Sequence, residues 1–113
     1  MLKEEMDKRA KQFAMQIIKL CKFLPETREG ILFENQLFRS AVSLAAHYRS
    51  ACRVQSTKDF KGKLKTVEES ADECMFWLEM VRDLDLVRAE LVKPLIEENE
   101  AIIKIIDRTI RSL

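Results

Sequence analysis

Four runs of apolar residues, spaced by three, four or seven positions, constrain this chain more than any other feature. Met6, Ala10, Phe13, Ile17, Leu20 and Leu24 make the first, and Phe33, Leu37, Ala41, Leu44, Tyr48 and Ala51 the second. Phe60, Leu64, Val67, Ala71, Cys74, Leu78 and Val81 make the third. Leu95, Ile102, Ile106 and Leu113, with a parallel row of Ile96, Ile103 and Ile110, make the fourth. At 3.6 residues per turn this spacing lays the apolar side chains along one face of a helix, whereas a strand needs alternation in twos. Each helix is charged on its other face, so the stripes must be buried against one another.

The punctuation between the runs sets the boundaries. Helix one spans about residues 3 to 24 and is stopped by Pro25, and "PETREG" is a short connection of the kind that joins antiparallel neighbours. Helix two runs from Ile31 to about Val54. Helix three starts at Ser56, a helix-capping residue followed three positions later by Asp59. "RDLDLV" interrupts the third run, and helix four begins near residue 88 with Pro94 in an early turn or at a kink. With only 2 glycines and 2 prolines in 113 residues, the expectation is all-α: a single domain over residues 1–113 folded as an antiparallel up-down-up-down four-helix bundle. The apolar faces of helices two and four are wider than one seam needs, which fits either a broad core face or a subunit contact through Ile96, Ile103 and Ile110.

The 20 Lys and Arg against 19 Asp and Glu give a net charge of +1, so bulk charge favours neither a polyanion nor an acidic partner. The distribution is uneven. Residues 49–65 carry Arg49, Arg53, Lys58, Lys61, Lys63 and Lys65 against Asp59 alone, and residues 66–85 carry seven carboxylates against Arg82. Cations in the opening turns of helix three oppose its macrodipole, and a broken local rule often marks function. Arg49, Arg53, Lys58, Lys61 and Lys65 are therefore candidate contacts to the phosphates of RNA or DNA. Two competing readings are attraction between oppositely charged ends of different subunits, and lysines that only solubilise the surface.

Signatures of catalysis are not found. A di-iron bundle needs paired Glu-x-x-His motifs, and His47 stands alone between Leu44 and Ser50. Glu69 and Glu73 lie one turn apart without a nucleophile beside them, and Gly30 and Gly62 are isolated rather than part of a phosphate loop. No enzyme activity, cofactor or metal is expected. Cys21, Cys52 and Cys74 match no metal or redox spacing and read as buried thiols of a reducing compartment. The charged start "MLKEEMDKRAK" and the lack of a span of roughly 18 apolar residues point to a cytoplasmic protein away from membranes. Phe76 and Trp77 sit in the acidic half of helix three, where packing is expected rather than base stacking.

Residues 35–79, "NQLFRSAVSLAAHYRSACRVQSTKDFKGKLKTVEESADECMFWLE", resemble the central signature of the bacterial four-helix bundle proteins also called 23S rRNA-intervening-sequence proteins. "QLFRSAVS", "YRSACR", "KLKTVEESADE" and "FWLE" follow in that family's order, with His47 standing where relatives usually carry Asn. The resemblance implies an antiparallel bundle often assembled as a homopentamer. A related group serves as accessory subunits of reverse transcriptases, and with the charge distribution the expectation is a non-enzymatic oligomeric module that binds RNA or DNA or, alternatively, a protein-protein adaptor or such an accessory subunit. Arg39, Arg49, Arg53, Glu69 and Glu73 fall at its signature positions. The arginines are expected either to pair with Glu69 and Glu73 or to face outward toward anions.

Overall fold

The computed structural model describes residues 2–113. They form four helices: α1 (Lys3–Cys21), α2 (Arg28–Ala51), α3 (Thr57–Asp83) and α4 (Ala89–Ser112). At 1.5 Å per residue α3 is about 40 Å long. The molecule measures 45 × 20 × 19 Å, so the helices lie along its long axis and each short loop reverses the chain. The result is the antiparallel four-helix bundle. α2 packs on α1 and α3, α4 packs on α3, and the α1–α4 seam is the sparsest. That seam is pinned by Arg9, which donates from Nε and Nη2 to the Glu98 carboxylate at 2.7 and 2.8 Å.

The stripes meet in one core. Every apolar residue of the first three runs is buried, together with Val92, Leu95, Ile96, Ile102 and Ile106 of α4. Of the rest of the fourth run, Ile103 and Ile110 are half-buried, and Leu113, beyond the end of α4, is 43 % exposed. Two polar side chains share the interior. Ser40 donates from Oγ to the Gln36 carbonyl at 2.8 Å. Asn99 is fully buried and donates from Nδ2 to the Ala71 carbonyl on α3 at 3.0 Å, while its Oδ1 has no partner.

Helix ends differ from the sequence-based boundaries for local reasons. α1 stops at Cys21 rather than near residue 24, because Pro25 disfavours helical geometry in the residue before it. The amides of Lys22, Phe23 and Leu24 instead reach back three residues in a tighter turn. α2 starts at Arg28, ahead of Ile31, because Thr27 caps it: the Thr27 Oγ1 accepts from the Gly30 amide at 3.1 Å. It ends at Ala51, short of Val54, where Arg53 and Val54 again bond three residues back. Ser56 caps α3 as expected, its hydroxyl accepting from the Asp59 amide at 3.1 Å. α3 ends in a Schellman turn: the Leu86 amide reaches the Val81 carbonyl and the Asp85 amide that of Arg82. Asp85 occupies the left-handed position, φ 53°, where glycine is commoner. Pro94 lies inside α4 and removes one amide donor from an early turn.

Candidate nucleic-acid interface

The antiparallel order gathers the N-termini of α1 and α3 and the C-termini of α2 and α4 at one end of the bundle. That end holds the sequence-predicted cations, and the fold adds Lys3 to them. Lys3, Glu4, Asp7, Arg49, Cys52 and Arg53 line an open hollow of about 570 Å³. Lys3 also places its Nζ 4.4 Å from the centroid of the Phe60 ring at the start of α3.

Arg49 is not free for an incoming anion. Its Nε and Nη2 donate to the Asp7 carboxylate of α1 at 3.3 and 3.1 Å. This corrects the expectation of a Glu69 or Glu73 partner: the end of α2 lies beside the start of α1, and Asp7 stands level with Arg49. Arg53, just past α2, is exposed and forms no ion pair among the described residues, and the same holds for Lys58 and Lys65. Lys61 is half-buried and likewise unpaired among them.

Thiol chemistry at this end is suppressed. Burial pushes the Cys52 thiol above its ordinary pKa despite the cations around the hollow, and burial first, then the neighbouring Cys52, raises the Tyr48 phenol. Cys52 is therefore held as a neutral thiol rather than a thiolate nucleophile. Among the described residues no group of three or more His, Cys, Asp or Glu side chains is placed to hold a metal ion.

The remaining singled-out residues fall elsewhere. Glu69 and Glu73 are exposed on α3 and Arg39 is exposed on α2, none of them in an ion pair among the described residues. Ile96 is 7 % exposed and belongs to the core of this chain, and Ile103 and Ile110 are half-buried against it. Trp77 is held by Phe33 at a ring separation of 5.6 Å and by the edge of Phe76 at 5.0 Å. Exposed apolar surface is instead found on α1 and α2, where Met15, Ile18, Val42, Ala45 and Ala46 line a second hollow of about 320 Å³.

Comparison with known proteins agrees with this architecture. The sequence model of the 23S rRNA-intervening sequence protein family matches residues 3–108. A solved structure, that of a protein with unknown function from the S23 ribosomal protein family of Bacteroides thetaiotaomicron, is 28% identical and superposes with a TM-score of 0.85. The match covers 93% of this chain and 97% of that one. No curated protein matches the chain.

Proposed function

This chain belongs to the 23S rRNA-intervening sequence protein family, and from that premise we propose that it is a non-catalytic, self-associating bundle that holds RNA or DNA phosphates at its basic end. The reading rests on one observation: Arg53, Lys58, Lys61 and Lys65 gather at that end without an ion-pair partner among the described residues. Arg49, tied to Asp7, acts as a positioning residue for the hollow rather than as a free contact. A family named for intervening sequences of 23S rRNA makes structured RNA the first ligand to test.

Four cations neutralising four phosphates set a salt dependence of about −3.6 in log affinity against log salt on a duplex. Replacing Lys58, Lys61 and Lys65 together by Gln should reduce it to about −1 and weaken binding at low salt. Titrations of structured RNA, single-stranded DNA and duplex DNA across a salt series measure both. An unchanged slope in the triple variant, or no binding to any of the three at low salt, would overturn this reading. A protein-protein adaptor or accessory subunit would then be the better account, favoured by the apolar hollow between α1 and α2 and by Phe38, 48 % exposed, on α2.

A further inference from the structure

We propose that Gly62 is the seat of one backbone phosphate of the bound nucleic acid: the strand touches the backbone of α3 there, and Lys58, Lys65 and Thr66 close around the phosphate. This deepens the function proposed above and rests on it. It adds a position at which the fit of the strand, and not charge alone, sets affinity.

Gly62 stands in the second turn of α3, inside a helix, where glycine is the least favourable residue after proline. At Gly30 the fold itself explains the glycine, because a Cβ there would collide with the Pro25 carbonyl. Gly62 has no such explanation. Its backbone is ordinary right-handed helix, and a Cβ built on it meets nothing within 4 Å. The residue is exposed and serves no turn, cap or close contact between helices. Alanine would make a more stable helix at no steric cost within the chain, so a reason for glycine lies outside it.

The surroundings of Gly62 identify the chemistry. On a helix the residues three and four positions away are the lateral neighbours. For Gly62 these are Lys58, Asp59, Lys65 and Thr66, while Lys61 and Lys63 flank it in sequence. The absent Cβ leaves a shallow depression with a lysine above it and another below. None of the four lysines forms an ion pair among the described residues. The Thr66 hydroxyl is likewise without a partner among them, whereas those of Ser40, Thr109 and Ser112 bond back to carbonyls of their own helices. Asp59 is the one acid in the ring, and the lysines outweigh it. Cations and a free hydroxyl around bare helix backbone complement a compact anion with several acceptor oxygens, and in a nucleic acid that group is the phosphodiester.

A phosphate oxygen can lie against the Gly62 Cα only while no side chain stands there. A Cβ would lift the strand by about 1.5 Å, the length of one carbon–carbon bond. The long lysines can follow the strand outward, but the short, β-branched Thr66 cannot, and a hydrogen bond stretched by that much is lost. The lysines still neutralise the same phosphates, so the salt dependence should hold. Substitution of Gly62 therefore combines a more stable fold with weaker binding at an unchanged salt slope. Neither a damaged helix nor a lost charge produces that combination.

Two measurements test the seat, with the tightest-bound of structured RNA, single-stranded DNA and duplex DNA as the probe. In titrations across a salt series, Gly62→Ala should bind about threefold and Gly62→Leu about tenfold more weakly than the wild type, with the slope retained. Gly62→Ala should also melt above the wild type. Thr66→Val, which keeps the shape and removes the hydroxyl, should lose about threefold, and should add little to the loss in Gly62→Leu. In a chain isotopically labelled only at its two glycines, nuclear magnetic resonance should show the Gly62 amide shifting as the probe is added. Gly30, at the opposite end of the bundle, should stay in place and serve as the control. Wild-type affinity in both Gly62 variants, or an unmoved Gly62 resonance at saturating probe, would overturn the seat, while a flattened slope in the lysine triple variant would still uphold the nucleic-acid reading. A wild-type chain that binds none of the three at low salt would overturn both.

Discussion

The two glycines of this chain both lie within helices, yet substitution by alanine should move stability in opposite directions. At Gly30 an added Cβ would sit 2.0 Å from the Pro25 carbonyl oxygen, 3.0 Å from its carbon and 3.1 Å from Pro25 Cγ. The oxygen would have to retreat by more than about 1 Å to restore an ordinary contact. It belongs to the backbone of a tight loop, held on one side by the turn from Leu24 to Cys21 and on the other by the Thr27 cap on Gly30 itself. Overpacking costs about 1–3 kcal/mol and a lost cap about 1 kcal/mol, against a gain of at most about 1 kcal/mol from alanine's helix preference. Gly30→Ala should therefore destabilise the fold by about 2 kcal/mol and lower the midpoint by roughly 8 °C in a domain of this size. At Gly62 nothing opposes alanine, and Gly62→Ala should add about 1 kcal/mol and raise the midpoint by roughly 4 °C. Urea and thermal unfolding followed by circular dichroism at one fixed protein concentration measure both. A Gly30→Ala variant as stable as the wild type, or two shifts of the same sign, would refute the reasoning.

Asn99 should behave as a liability of the core: Asn99→Leu removes the unpartnered Oδ1 and should leave urea stability equal or higher by about 1 kcal/mol. Asn99→Asp buries a carboxylate beside the Ala71 carbonyl and should cost about 3 kcal/mol or more, and the reverse ranking of these two variants would contradict the geometry. Burial, the largest cause for each thiol, pushes Cys21 from 9.0 to about 11 and Cys74 from 9.0 to about 12. The folded chain then keeps protons that the unfolded chain releases, so their contribution is complete below about pH 9 and is lost as pH rises through about 11 and 12. Urea unfolding along an alkaline series should show that decline, and Cys21→Ala with Cys74→Ala should flatten it whatever the variant's absolute stability.

The helices were legible because their signal is repetitive: six or seven apolar residues at one period leave little freedom in which face is buried. The ends were less so, since they depend on single interactions. Thr27 carries no acidic residue three positions later and so lacks the usual signature of a cap, and the tighter turns after Cys21 and Ala51 leave no mark on the apolar pattern. At the basic end the candidate cations stand in one continuous segment, so their grouping is visible in the sequence, but Lys3 joins them only through the fold. The Arg49–Asp7 pair links residues 42 apart and follows from which helices are neighbours, a long-range fact. α4 was ambiguous for a different reason: two parallel isoleucine rows both fit a helical stripe, and only packing assigns Ile96 to the interior.

The charge order of α3 remains to be accounted for. Lysines early in a helix oppose its macrodipole, but the effect fades beyond the terminal turn. Within that first turn Lys58 is offset by Asp59, and the last turn of α3 carries Arg82, as the dipole favours. α1, α2 and α4 likewise open with an acid and close with a base. Lys61 and Lys65 therefore cost the helix little, and Glu69 and Asp72 contribute little to it. None of them belongs to the core. The segregation of charge along the outward face of α3 is thus neither required by the fold nor strongly opposed by it, which is why the variant with Lys58, Lys61 and Lys65 replaced by Gln is expected to fold. It also leaves an external partner as the physical account of the order, and a chain of phosphates fits its basic first half.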